Sequence, residues 1–175
     1  VVPGWEGNTH VKWLRRIKVV NQPYMGREET SKYTDLLPDG TARQFTFAME
    51  AKSVITYPSG GHQLSGSGSY EITGLAWSGR GLINKVEIST DKGQSWQEAE
   101  LQEPRLPICF TRFRFPWQWK GQAVTLQSRC TDETGYIQPS REELVKVRGL
   151  NTFYHFNGTK TWQVLPNGRV ENVSI

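Results

Sequence analysis

The chain has 175 residues and a mass of 20.0 kDa, with 36% hydrophobic and 11% aromatic residues, which allows one good hydrophobic core or one domain plus part of another. No apolar run approaches the roughly 18 residues that a spanning helix needs, so a membrane-embedded chain is excluded by this pattern. The net charge is +4 with a pI near 9.1, but Lys and Arg are scattered among acids and cluster only at Arg15-Arg16 and Arg112/Arg114. That distribution argues against nucleic acid as a partner and suits a positive face that steers an anionic substrate. Two cysteines, Cys109 and Cys130, are too few for a protein-only zinc or iron-sulfur site. Both stand in strand-like segments and read as two buried free thiols, a cross-sandwich disulfide being the alternative for an exported chain. The sequence begins without Met and without the basic and apolar regions of a signal peptide, and so reads as a processed or excised piece or an incomplete reading frame.

In chain order, the turn-prone Pro3-Gly4 and Gly7-Asn8 precede an alternating run in which Trp13, Arg15, Ile17 and Val19 face away from Leu14, Arg16 and Lys18. This spacing predicts a strand leaving a polar loop, a place where rigid scaffolds commonly hold ligands. Residues 21–46 carry Pro23, Gly26, Pro38 and Gly40 and read as a long functional loop with room for one helical turn around Arg27 to Tyr33. Periodicity of two resumes at Phe45 and Phe47, and Ser53 to Pro58 begins a sandwich. The Gly- and Ser-rich Ser59 to Ser69 reads as a flexible connector inside the domain, and His62 within it has no companion ligand for a metal.

The stretch from Tyr70 to Leu101 is the most regular. Tyr70, Ile72, Gly74 and Ala76 share one face, Ser78-Gly79-Arg80-Gly81 breaks the run, and Ile83, Val86 and Ile88 lead to the turn Asp91-Lys92-Gly93. Three consecutive strands follow, with Trp77 and Trp96 as expected large core residues. Phe113 and Phe115 alternate with Arg112 and Arg114 in a strand that Pro116 places at an edge or a bulge. The next strand turns Cys130 inward, and Arg141 to Val147 reads as the last strand of the sandwich. A terminal segment rich in Phe, Tyr and Trp, with a hairpin signal at Asn167-Gly168, needs a surface to cover, on this sandwich or on a partner subunit. About seven strands at this spacing predict an all-β, immunoglobulin-like sandwich.

Several motifs carry a resemblance over essentially the whole chain. A-W-S-G-x-G followed by V-E-I-S-T-D-K-G-x-S-W, the later R-C-T-D-E-T-G-Y-I-Q-P, and the early P-G-x-x-G-x-x-x-V-K-W-L-R-R-I resemble the sulfite oxidase family of molybdenum enzymes. R-E-E-T-S-K-Y-T-D, T-R-F-R-F-P-W-Q-W and L-Q-S-R-C-T-D-E-T-G-Y-I-Q-P are most similar to the SoxC-like branch of that family, the molybdenum subunits of bacterial sulfane dehydrogenases in the Sox sulfur-oxidation system. The resemblance implies that residues 1–43 are the end of a molybdopterin-binding α+β domain and residues 44–175 a dimerisation sandwich. It implies that Thr9, His10, Val11 and Lys12 contact the molybdopterin and its phosphate, chemistry that suits a Lys cation and backbone donors on a Gly-started loop. It further implies that Tyr33, 20 residues beyond Trp13, is the active-site tyrosine, and that Arg80 reaches the substrate funnel.

The expected function is therefore the C-terminal portion of a molybdopterin-dependent sulfur-compound oxidoreductase, of sulfane dehydrogenase or sulfite oxidase type, which supplies the homodimer interface and part of the cofactor and substrate site. In that family the molybdenum ligand is an upstream cysteine, and neither Cys109 nor Cys130 stands in a matching motif, so this stretch alone is expected to hold no cofactor and to be inactive. A Sox-like parent implies a periplasmic location, a c-type cytochrome as electron acceptor and a sulfur carrier protein as partner. The alternative is a stand-alone dimerising sandwich that binds no cofactor.

Overall fold

A computed structural model describes residues 2–44, 47–150 and 156–173. Two sheets stack face to face. One has the strand order β3-β4-β8-β7, formed by Lys52–Tyr57, Gly68–Trp77, Thr111–Trp119 and Glu100–Gln102. The other has the order β11-β10-β9-β5-β6, formed by Val170–Val173, Thr161–Val164, Val124–Asp132, Ile83–Ser89 and Gln97–Glu98. Every pairing is antiparallel. The expected all-β, immunoglobulin-like sandwich is the observed architecture.

The alternation that predicted the strands also fixes their register. In β4, Ile72, Gly74 and Ala76 are buried while Ser69 and Glu71 are exposed. Ile55, Ile72 and Phe113 from one sheet meet Val86, Ile88, Leu126 and Val164 from the other, all nearly inaccessible. Burial of this kind stabilises by roughly 25 cal/mol per Å² of apolar surface removed from water. The large core aromatics are Phe113, Trp117 and Trp119; Trp77 and Trp96, expected there, are only half-buried. Trp77 is the last residue of β4 and packs edge-on against Phe110, whereas Trp96 lies outside β5 under the Arg129 guanidinium, 4.3 Å from its ring centre. Both occupy strand ends, where the sandwich no longer has two covering layers. Pro116 pairs with Glu71 on one side, and β7 ends at Glu100 opposite Arg114, so the other side of Pro116 is an open edge as its missing N–H requires.

A buried polar seam joins the sheets. The Ser53 hydroxyl donates to Gln138 Oε1 at 2.7 Å and lies 2.9 Å from Ser128 Oγ, while the Ser53 amide donates to the same Gln138 oxygen at 2.8 Å. The outer edge of β3 is closed by side chains: Trp162 Nε1 donates to the Ile55 carbonyl at 3.0 Å and Asn157 Nδ2 to that of Ala51 at 3.3 Å. An edge so capped offers no template for another strand. The aromatic terminal segment, as far as it is described, thus covers this sandwich; Phe153 and Tyr154 lie outside the described residues, as do Phe45 and Ile175.

Three further expectations change. Arg141–Arg148 is a helix, α2, not a strand. Ser140 and Glu143 form a reciprocal capping box, and Leu144 and Arg148, four residues apart, turn inward together. Ser59 to Ser69 is pinned rather than free: the amides of Gly61 and Leu64 donate to the Val170 and Gly168 carbonyls, and Leu64 is buried. Cys130 is buried, but Cys109 is exposed on the loop before β8, and the two are not joined. Burial pushes the Cys130 thiol far above its ordinary value, with the Asp132 charge nearby acting in the same direction.

The N-terminal region is built differently. A 3-10 turn at Gly7–Thr9 is followed by an extended segment, a short helix α1 (Arg27–Ser31), and a hairpin of β1 (Thr34–Leu36) with β2 (Ala42–Gln44). The strand expected over Trp13 to Val20 is absent. Alternation needs a neighbouring strand and a surface to bury against, and the described residues provide neither: Trp13, Ile17 and Val19 are 92%, 78% and 99% exposed.

Candidate functional site

The two regions meet at a close crossing of three backbones. The Met49 amide donates to the Gly4 carbonyl at 2.8 Å, the Gly79 amide to the Met49 carbonyl at 2.7 Å, and the Glu6 amide to the Phe47 carbonyl at 2.8 Å. Only glycine fits at Gly79, where a Cβ would lie 2.0 Å from the Gly4 oxygen and 2.8 Å from the Met49 nitrogen. Consequently the turn that carries Arg80 and the loop that leads into Thr9 to Lys12 are stitched to the same strand entrance.

Arg80 does not project freely from its glycine turn. Its guanidinium reaches Glu50 Oε1 at 3.3 Å and lies 5.4 Å from the centre of the Tyr136 ring, while its amide donates to Ser78 Oγ at 3.1 Å. Glu50 is a buried junction. Its other oxygen accepts from Arg148 at 2.5 Å and from the Tyr136 hydroxyl at 3.1 Å, and Asn157 Nδ2 donates to that hydroxyl at 3.1 Å. Burial, with the Glu50 carboxylate beside it, pushes the Tyr136 phenol up. Ser78 is held in turn by buried Asp132, whose carboxylate also takes the Thr134 and Tyr136 amides at 3.0 and 3.2 Å.

Beside this cluster is a cleft of about 230 Å³ lined by Glu6, Gly7, Met49, Glu50, Lys52, Trp77, Phe156 and Asn157. Lys52 donates to the Phe156 carbonyl at 2.5 Å, and burial lowers its ammonium, the Lys160 charge adding to the effect. The cleft therefore spans the crossing between the N-terminal loop and the sandwich.

Thr9 spends its hydroxyl on the Glu6 carbonyl at 2.7 Å, and the His10 ring lies 3.0 Å from the Val2 carbonyl. Val11 and Lys12 are exposed just beyond the 3-10 turn. An exposed ammonium on this loop fits the anionic end of a molybdopterin. The same residues do not fit the metal, since no group of three or more His, Cys, Asp or Glu able to hold an ion exists among the described residues. Tyr33 is half-buried between α1 and β1 and does not belong to the cleft lining. No helix among the described residues is long and apolar enough to cross a membrane.

Sequence reading missed Glu50, Arg148 and Tyr136. Arg148 had a legible signal, the Ser140-x-x-Glu143 capping pattern that converts its segment to helix. Glu50 had none, because its partners lie 30, 86 and 98 residues away in sequence.

Comparison with known proteins agrees with this architecture. Residues 43–161 match the family described as the Mo-co oxidoreductase dimerisation domain. The mitochondrial sulfite oxidase of Mus musculus is 34% identical over 154 residues, covering 79% of this chain and 28% of that protein. The NADPH nitrate reductase of Neurospora crassa is 30% identical over 198 residues, covering 86% of this chain and 20% of that protein. The chain thus spans less than a third of the length of these relatives. The crystal structure of the sulfane dehydrogenase SoxCD from Paracoccus pantotrophus superposes with a TM-score of 0.93 at 51% identity, covering all of this chain and 45% of that one. With a family match over most of its sandwich and relatives above 30% identity, the chain belongs to the Mo-co oxidoreductase dimerisation domain family of the sulfite oxidases.

Proposed function

We propose that this chain works as the C-terminal part of a molybdopterin-dependent oxidoreductase of sulfur compounds, where it forms a homodimer and completes the cofactor and substrate site. The observation that carries this reading is the Gly4–Met49–Gly79 crossing, which fixes the expected pterin loop and the expected substrate arginine to one rigid point. The molybdenum cofactor, when bound, supplies the redox chemistry. Lys12 would hold its phosphate, with Thr9, His10 and Val11 shaping the loop. Arg80 would attract the anionic sulfur group of the substrate, and Tyr33 would hold or pass a proton at its phenol oxygen. Identity of 51% to a sulfane dehydrogenase over the whole chain favours the sulfane branch, which brings with it a periplasmic setting, a c-type cytochrome and a sulfur carrier protein. Residues 1–43 then act as the end of the cofactor domain and residues 44–175 as the dimerisation domain.

The test is Lys12→Ala in the longer enzyme, read as molybdopterin content per protein by fluorescence of the released, oxidised pterin. Retention should fall severalfold, and an unchanged content would remove Lys12 from the cofactor site. Dimer formation is tested by light scattering at micromolar concentration, where an interface of standard size holds two copies together and only monomer would contradict it.

A further inference from the structure

We infer that Arg148 is a positioning residue that keeps the charge of Arg80 available to an anion, by taking up the Glu50 carboxylate from behind; this rests on the reading of Arg80 as the anion contact. An arginine paired one-to-one with a buried carboxylate is electrostatically silenced, since a bound anion then has to compete with the carboxylate at the same guanidinium. Arg80 escapes that fate. Glu50 is shared by two guanidiniums, and the shorter contact, 2.5 Å, goes to Arg148, whose side chain is 4% exposed. Arg80 makes the longer contact, 3.3 Å, and its side chain is 39% exposed.

The triad of Glu50, Arg148 and Arg80 thus carries one positive charge in excess, and the member that reaches solvent is Arg80. Tyr136 completes the arrangement. Its hydroxyl donates to Glu50 and its ring lies under the Arg80 guanidinium, so the cation is held at a fixed place without being neutralised. The nearby Glu133, whose carboxylate packs against Gly81, is exposed, and its charge is screened by solvent. Arg148 reaches this position because it ends α2, where the helix dipole favours a cation and the turn at Gly149 lets the chain leave. No local motif encodes this arrangement, since Arg80, Tyr136 and Arg148 stand 30, 86 and 98 residues from Glu50 in sequence.

Inorganic sulfate is the probe, titrated into the purified chain and its variants while the backbone amide resonances of Gly79 and Gly81, which flank residue 80 and persist in every variant, are followed. Arg80→Ala should abolish the saturable binding. Arg148→Met removes the nearer of the two guanidiniums on Glu50, so that the carboxylate draws more strongly on Arg80, and sulfate binding should weaken about tenfold, a unit of charge being silenced next to a half-exposed site. Glu50→Gln placed on Arg148→Met removes the silencing carboxylate and should restore the dissociation constant to within about twofold of the parent. A merely structural role for Arg148 predicts no such rescue. Arg148→Lys keeps the charge and should also bind within about twofold. If Arg148→Met does not fold, the double variant and Arg148→Lys decide the matter, because weakening of about tenfold in either overturns the inference. Unchanged binding in Arg148→Met, or a double variant as weak as the single one, overturns it likewise. Unchanged binding in Arg80→Ala removes the reading of Arg80 on which it rests, a failure distinct from those two because it appears in the Arg80 variant itself.

Discussion

The sandwich and the N-terminal segment are written in the same alphabet but have opposite fates. Ile72, Gly74 and Ala76 alternate in β4 just as Trp13, Ile17 and Val19 do near the start, yet the first set is buried and the second is exposed. The difference is the presence of partners: β4 has β3 and β8 on its flanks and a second sheet above it, whereas residues 13–20 pair with no described strand. Alternation therefore states which face of a segment would be apolar, and only a neighbour decides whether that face becomes a core. In the proposed enzyme the neighbour of the N-terminal segment is the cofactor domain.

The largest effect should come from the core itself. Phe113 is fully buried and its ring fills the space that a side chain at Gly74 would need, so Phe113→Ala should cost about 3–5 kcal/mol by urea unfolding. Trp13→Ala, at a site 92% exposed, should change the same midpoint hardly at all. If the two substitutions cost alike, the N-terminal segment is packed in solution and the contrast between the regions disappears.

Next in size is the joint. Gly79→Ala drives a Cβ into the Gly4 carbonyl, and relieving it separates the N-terminal loop from the strand entrance at about 1–3 kcal/mol. Hydrogen exchange should show the Glu6 and Met49 amides losing protection while Val86 and Leu126 keep theirs. Uniform loss across the molecule would mean that the two regions unfold as one unit. A smaller change is expected for Ser140→Ala, which removes the side-chain acceptor for the Glu143 amide and should destabilise by about 1 kcal/mol in thermal unfolding. No shift would show that packing of Leu144 and Arg148, not the cap, sets the helix.

How much can be read in advance follows the same division. β4, β5, β8 and β9 are legible because a half-buried strand between two neighbours keeps a period of two. Arg141 to Val147 misleads because its apolar residues Leu144, Val145 and Val147 fit either period, and the decisive information is the polar pair Ser140 and Glu143. Trp77 and Trp96 fall outside the core because size predicts burial only where two layers close over a residue. For the site, the resemblance points to Arg80 but not to what surrounds it, since Glu50, Tyr136 and Arg148 converge only in three dimensions.

Both regions share one device, a turn whose aspartate accepts hydrogen bonds from residues two to four positions away. In the N-terminal hairpin, the Asp39 carboxylate takes the Thr41 hydroxyl at 2.6 Å and the Thr41 amide at 2.9 Å, and these bonds, the hydroxyl first, lower its pKa below the usual 3.8. In the sandwich, Asp91 takes the Ser95 hydroxyl at 2.5 Å, the Ser95 amide at 2.9 Å and the Ser89 hydroxyl at 2.7 Å, which hold it at about 2. Both are depressed groups, so each turn is fully supported above the unfolded value of 3.8, and the support is lost as pH falls through the folded value. For Asp91 that window runs from about pH 4 down to about 2. Asp39 has one donor fewer and belongs to a two-stranded hairpin outside the sandwich, so it should titrate first. Amide resonances of Thr41 and Ser95 followed from pH 5 downward, with Asp39→Asn and Asp91→Asn as references, test the order. Thr41 moving before Ser95 is the expected result; the reverse order would mean that hydrogen bonds to the sandwich turn are weaker in solution than its geometry implies, and that the stability of that region stops at the core and does not extend to its turns.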